Sequence, residues 1–252
     1  MFKNTLKGIQ AYFYTFQLIS KLKLWRYFGI PILISVLTAA SVGLLAWGLS
    51  DNIGAFIAKI WPWEWGSVTF RTISDVLGAI AIVVLGLVLY KHIVMALSAP
   101  FMSPVSEKIE YHITGKTPSK SNSNTTQLLR GIRINVRNLL MELLITIPIL
   151  LLSFIPVVSI LTSIILFLVQ SYYAGFGNMD YTLERHFTYR ESISFVSRNK
   201  GLALGNGIVF MAMLLIPVLG IILVLPLSVT AASSETVKIL QQERALKEHK
   251  NI

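Results

Sequence analysis

The stretch with the most chemistry in it runs Leu97-Ser98-Ala99-Pro100-Phe101-Met102-Ser103-Pro104-Val105-Ser106-Glu107-Lys108-Ile109-Glu110. Glu107 and Glu110 stand one helical turn apart, which puts both carboxylates on one face. Pro100, Phe101 and Pro104 precede them at the end of a long apolar run. Proline removes a backbone donor and crowds the preceding turn, so the chain is predicted to bend here. Two roles fit such an exit. It is a helix end at the lipid headgroups, or a hinge and pore lining (Pro100, Phe101, Pro104, Glu107 and Glu110) where irregular backbone meets a polar cavity. Lys91 and His92 interrupt the same apolar run. Lys91 snorkels if it lies near a helix end and marks a functional site if it lies deep. His92 is expected as a polar tip at an interface rather than a proton carrier. Arg130, Arg133 and Arg137 share one helical face, read as a solvated or headgroup-facing stripe, with substrate attraction as the lesser alternative.

Other chemistries find no residues to carry them. The chain has no cysteine, so disulfides, thiolate metal sites and cysteine nucleophiles are excluded. There is no His-Glu-x-x-His and no nucleophile elbow, and the four histidines (His92, His112, His186, His249) are scattered. No catalytic residue, metal ligand or cofactor is predicted, and an enzyme is not expected. Gly115-Lys116-Thr117-Pro118 lacks the spacing of a phosphate-binding loop.

The elements that must position these residues are membrane helices. Mean hydropathy is +0.66, only 13% of the 252 residues are charged, and several uncharged runs are long enough to span a bilayer. The net charge of +10 sits in segments flanking the apolar runs. That suits the positive-inside bias and anionic headgroups better than nucleic acid. The predicted fold is all-α and integral to the membrane: two long transmembrane helices plus two proline-broken helical hairpins, re-entrant or short crossings, in one membrane domain over 1–252.

Residues 1–27 carry an apolar stripe (Phe2, Leu6, Ile9, Phe13, Phe16) flanked by lysines, an amphipathic helix lying in the headgroup plane or packing on a soluble partner. The first crossing is placed at 28–50, with Pro31 in its first turn. The run is too long for a signal peptide, and no cleavable leader is read. Trp61, Trp63 and Trp65 around Pro62 form an interfacial belt in the connection 51–75. The second crossing, 76–106, is read as one long helix. A polar loop runs to Thr126. Pro148 and Pro156 break the first hairpin, 139–176; Pro217 and Pro226 break the second, 202–234. The arms look short for full crossings. Between the hairpins, Thr188-Tyr189-Arg190-Glu191 has capping-box spacing and Gly201 is a stop. A charged helix or tail, 235–252, closes the chain. The basic segments place both termini and residues 108–137 on one side.

Ala99-Pro100-Phe101 followed by Glu107-Lys108-Ile109-Glu110 resembles the signature of the CysZ-type sulfate permeases and the related etoposide-induced-protein family. Trp25-Arg26-Tyr27 with Pro31, Asp180-Tyr181 with His186, Arg190-Glu191, and Ile216-Pro217-Val218 also resemble family positions. The resemblance implies two long crossings, two partly inserted hairpins, a homo-oligomer in a lipid bilayer, and sulfate uptake for cysteine synthesis across the inner membrane of bacteria. It also implies a sulfate site. Where the permeases carry Gly, an aliphatic residue and two Arg, this chain has Lys23-Leu24-Trp25-Arg26. Arg26, Lys23 and Trp25 are therefore the expected substrate-binding residues, with Lys23 one turn before Arg26 on one helical face. A non-transporting membrane scaffold, organising lipids or partners, is the alternative function.

Overall fold

The computed structural model describes residues 1–58, 82, 85–117, 123–153, 155–216 and 219–250. All secondary structure among them is helical. The helices are α1 (Phe2–Gln10), α2 (Thr15–Lys21), α3 (Gly29–Ala58), α4 (Leu85–Leu97), α5 (Ala99–Thr114), α6 (Asn124–Leu152), α7 (Pro156–Leu183), α8 (Tyr189–Arg198), α9 (Lys200–Leu214) and α10 (Leu219–Lys250). Short 3₁₀ turns cover Ala11–Tyr14 and Leu24–Tyr27. By length and composition α6, the Val158–Leu183 part of α7 and the Ile222–Leu246 part of α10 can each cross a membrane, and α4 with α5 makes a fourth, bent candidate. The protein is an all-α membrane protein.

Several local expectations meet a different geometry. The first long helix does not stop at Ser50 but runs to Ala58. The predicted single helix over 76–106 is two helices bent by 69° at Ser98. The bend falls before Pro100, which sits in the first turn of α5, where its missing N–H costs nothing. Pro104 is carried inside α5 without ending it. Pro148 and Pro226 likewise lie inside α6 and α10. The first hairpin turns just before Pro156, whose fixed φ starts α7. Its arms, of 29 and 28 residues, are longer than the sequence suggested. Gly201 is not a stop, because α9 begins at Lys200. The capping box of α8 is present: Thr188 donates its backbone N–H and its hydroxyl to Glu191 Oε2, both at 2.8 Å. These bonds hold the Glu191 carboxyl below its ordinary range. The tryptophan belt at Trp61, Trp63 and Trp65 lies outside the described residues, as do Pro217 and the loop centre 118–122.

The core is built on one tight crossing. A methyl added at Gly175 of α7 would stand 1.8 Å from the Ala203 carbonyl oxygen, and one at Gly207 of α9 only 1.6 Å from that of Ser171. Ser171/Gly175 and Ala203/Gly207 are each spaced four apart, the pattern that lets two helix backbones touch where apolar burial alone gives little drive. The N-terminal helix α1 takes another face of α9, with the Thr5 carbonyl oxygen 2.0 Å from a methyl placed on Gly205. Helix α10 packs against α3, α5, α7 and α9.

Burial runs opposite to that of a water-soluble bundle. The buried residues of α6 are Gln127, Gly131, Ile134, Asn135, Asn138, Glu142 and Thr146. Leu129, Val136, Leu140, Leu144, Ile147 and Leu151 of the same helix are exposed. An apolar outer face and a polar inner one are what lipid as solvent demands. Phe2, Phe13 and Phe16 of the N-terminal stripe are also exposed. Gly207→Ala is expected to cost about 1–3 kcal/mol by forcing α7 and α9 apart. Gly43→Ala, with open space around its added carbon, should leave thermal unfolding in detergent unchanged or slightly raised.

Candidate functional site

The 69° elbow needs partners for the backbone groups it frees. Tyr181, buried on α7, donates its hydroxyl to the Met95 carbonyl at 2.6 Å, the last turn of α4. Helix α6 crosses the elbow at Gly131, where an added methyl would meet Ala99 at 2.7 Å. Beyond the bend α5 is stitched to α7. Ser106 and Thr182 share a hydrogen bond of 2.7 Å. The Arg185 guanidinium donates to Glu110 Oε2 through Nε at 3.1 Å and Nη2 at 3.0 Å, and to Ser106 Oγ at 2.8 Å. His186 Nε2 lies 2.8 Å from Glu110 Oε1 but outside the angle of a good hydrogen bond. Its Nδ1 accepts from Arg244 at 2.9 Å.

A second group pins α6 to the end of α7. Arg130 donates to both Asp180 oxygens (3.2 and 3.0 Å), to the Phe187 carbonyl (2.8 Å) and to Ser192 (2.7 Å). The predicted arginine stripe is thus divided. Arg130 turns inward, Arg133 lies over the Tyr189 ring at 4.2 Å, and Arg137 lies over Phe176 at 5.5 Å. Glu184, beside Asp180, is pushed up to about 7 by burial, against a Ser103 hydrogen bond that lowers it.

A third group lies deeper. Lys91, fully buried, donates to Glu142 Oε1 at 2.6 Å and to the Gln170 carbonyl at 3.0 Å. His92 Nε2 is 3.0 Å from Glu142 Oε2, and its Nδ1 is 3.3 Å from Asn135 Oδ1. His92 is therefore no polar tip at an interface. It is 2% exposed and built into an ion-paired cluster. Lys91 is fully buried inside the protein rather than snorkelling to a surface. Its partner Glu142 escaped the sequence reading, although a lone carboxylate four residues before Thr146 in an otherwise apolar span was the available signal.

The expected substrate residues are at the surface. Lys23, Trp25 and Arg26 are all exposed. Lys23 does not share a helical face with Arg26. It sits at the break between α2 and the 3₁₀ turn with φ 52°, a left-handed conformation that suits the glycine of the resembling motif. Trp25 Nε1 donates to Ser20 Oγ at 3.4 Å. Arg26 donates to the Tyr27 hydroxyl at 3.0 Å, and Lys108 of α5 stands 5.1 Å from the Tyr27 ring centre. Burial raises the Tyr27 phenol, but hydrogen bonding and charge from Lys108 and Arg26 outweigh it and hold the group below its ordinary value. Of the two acids in the hinge stretch, Glu110 is buried in the elbow network and Glu107 is only half-buried. Phe101 is half-buried against the apolar core.

Glu110→Ala is expected to cost about 3–5 kcal/mol, because it strands the buried Arg185, whereas Glu107→Ala should cost under about 1 kcal/mol; chemical denaturation in detergent separates them. Glu184 supplies a pH test. Its folded value lies above its unfolded one, so wild-type stability falls as pH rises from the ordinary carboxylate range through about 7. Glu184→Gln should remove that fall, with a gain on the order of 2 kcal/mol above neutrality and little change in mild acid.

Comparison with curated proteins finds no match. The model of the family described as sulfate transporter CysZ/etoposide-induced protein 2.4 matches residues 11–224. That span includes the elbow, the turn before Pro156 and every buried ion pair described above, and the chain belongs to this transporter family.

Proposed function

We propose that the protein is a permease passing a small oxyanion, sulfate first, across the membrane, with Arg26, Lys23 and Trp25 at the entrance. The observation that carries this reading is the convergence of two cations from separate elements on Tyr27 at the foot of α3, Arg26 on its hydroxyl and Lys108 over its ring. A dianion leaving water needs charge-assisted donors, since burying it unpaired is very costly. Membership of a transporter family supports the same role. In a bacterial inner membrane the imported sulfate would feed cysteine synthesis, and a homo-oligomer is part of the proposal. The elbow, with Pro100, Phe101, Pro104 and Glu107 around it, is the moving part, and Glu110 its anchor.

The alternative is a non-transporting scaffold that organises lipids or partner proteins. The exposure of Lys23, Trp25 and Arg26 favours it, because exposed cations beside an aromatic ring also suit phospholipid headgroups. The two readings differ in what replaces arginine. A headgroup accepts any nearby cation; a substrate held by a planar pair of donors does not. Arg26→Lys should keep insertion and abundance but weaken sulfate binding by about tenfold, roughly 1.4 kcal/mol, and Arg26→Ala should weaken it further. Titration calorimetry in detergent and labelled-sulfate uptake into liposomes measure it. Saturable binding and uptake by the wild type are expected; their absence would favour the scaffold.

A further inference from the structure

The deep cluster is more than a neutralised lysine. A carboxylate is itself a small oxyanion, and that of Glu142 is gripped as one: Lys91 Nζ on one oxygen at 2.6 Å, His92 Nε2 beside the other at 3.0 Å, with lysine and carboxylate fully buried. The same inner face of α6 carries two more donors, one turn to either side. Asn138 Nδ2 and the Thr146 hydroxyl are buried and have no hydrogen-bond partner among the described residues. Both residues are 0% exposed. Buried donors without acceptors are rare and costly, and here they flank an anion along the protein interior. For a structural ion pair alone they would be a needless cost.

We propose that Lys91, His92, Asn138 and Thr146 form an interior oxyanion site, and that the Glu142 carboxylate is its tethered resident, displaced when the permeating anion enters. This rests on the permease reading above. Charge fixes the step. An incoming sulfate dianion and an ionised carboxylate cannot share one ammonium, so as sulfate arrives Glu142 takes up one proton from a hydronium ion of the medium, whose O–H bond breaks to leave water. An O–H bond forms on the carboxyl and one negative charge is cancelled. The sulfate keeps both of its own charges, held by Lys91, the imidazole and the two free donors. Tyr173 of α7 lies within reach of the Glu142 charge, and Arg137 of α6 lies within reach of Tyr173. Departure of the sulfate returns the proton and reseats the carboxylate.

Infrared difference spectroscopy on the full chain in detergent, with and without sodium sulfate, reads this step without relying on transport. Sulfate should remove a carboxylate band and add a protonated-carbonyl band, both missing in Glu142→Gln. In liposomes, sulfate uptake by the wild type should rise on acidifying the medium, and Glu142→Gln should flatten that dependence. Because Glu142→Gln leaves Lys91 uncompensated, a second variant joins Lys91→Met to Glu142→Met, removing both charges together, a change that buried pairs tolerate. It should fold, show no infrared change, and lose uptake by about tenfold or more. A carboxylate band unmoved by sulfate that saturates uptake would overturn the interior site and leave the permease standing. Infrared change without uptake would uphold the site and overturn the permease. Normal uptake by the double variant would also overturn the site, and silence in both measurements overturns both.

Discussion

The buried ammonium of Lys91 is neutralised by the Glu142 carboxylate. Lipid offers an ammonium no hydrogen bonds, and moving such an ion out of water carries an idealised penalty on the order of 20 kcal/mol. The pair therefore fixes the register between α4 and α6, and much else follows from that register. With Glu142 opposite Lys91, α6 crosses α4 and α5 where Gly131 leaves room. The bend at Ser98 then has Tyr181 ready to take the Met95 carbonyl. Arg130 reaches Asp180 on the far side. A slip of one residue on α6 would put Leu143 against the lysine.

The same constraint organises the rest of the interior. Asn206 accepts the Asn178 amide through its side chain, donates to the Ser228 carbonyl, and offers its own carbonyl to Tyr12. One residue on α9 thus touches α7, α10 and the N-terminal segment. Such bonds contribute modestly each, around 0.6 kcal/mol on average in membrane helices, and their larger effect is to forbid other packings. Close glycine contacts supply the attraction and paired polar groups the address.

Class, composition and the elements themselves were legible in the amino-acid sequence, because uncharged length and basic flanks answer directly to bilayer thickness and surface charge. The bend near Pro100 and the capping box at Thr188 were legible for the same local reason. Proline gave less. Pro148 and Pro226 sit inside helices whose neighbours re-satisfy the backbone, so a proline in a membrane run marks a break only where a turn is also wanted. The pairings Lys91–Glu142 and Glu110–Arg185 were not legible, since they join residues far apart in sequence. Spacing along one helix says nothing about what faces it. Lys23 misled for a different reason: its left-handed backbone ends the helix on which its alignment with Arg26 depended.

The seat of α1 on α9 has a consequence for how the protein is made. Tyr12 bonds the Asn206 carbonyl across a sequence separation of 194, and Gly8 fits only against the backbone of Leu202–Asn206. At about 5–20 residues per second, the ribosome delivers that partner roughly 10–40 s after the N-terminal segment has emerged. During that interval α1 has a glycine notch and no backbone to fill it, while Phe2 is already free to meet lipid. The segment would wait at the membrane surface as a separate helix and be captured last, closing the bundle only when α9 arrives.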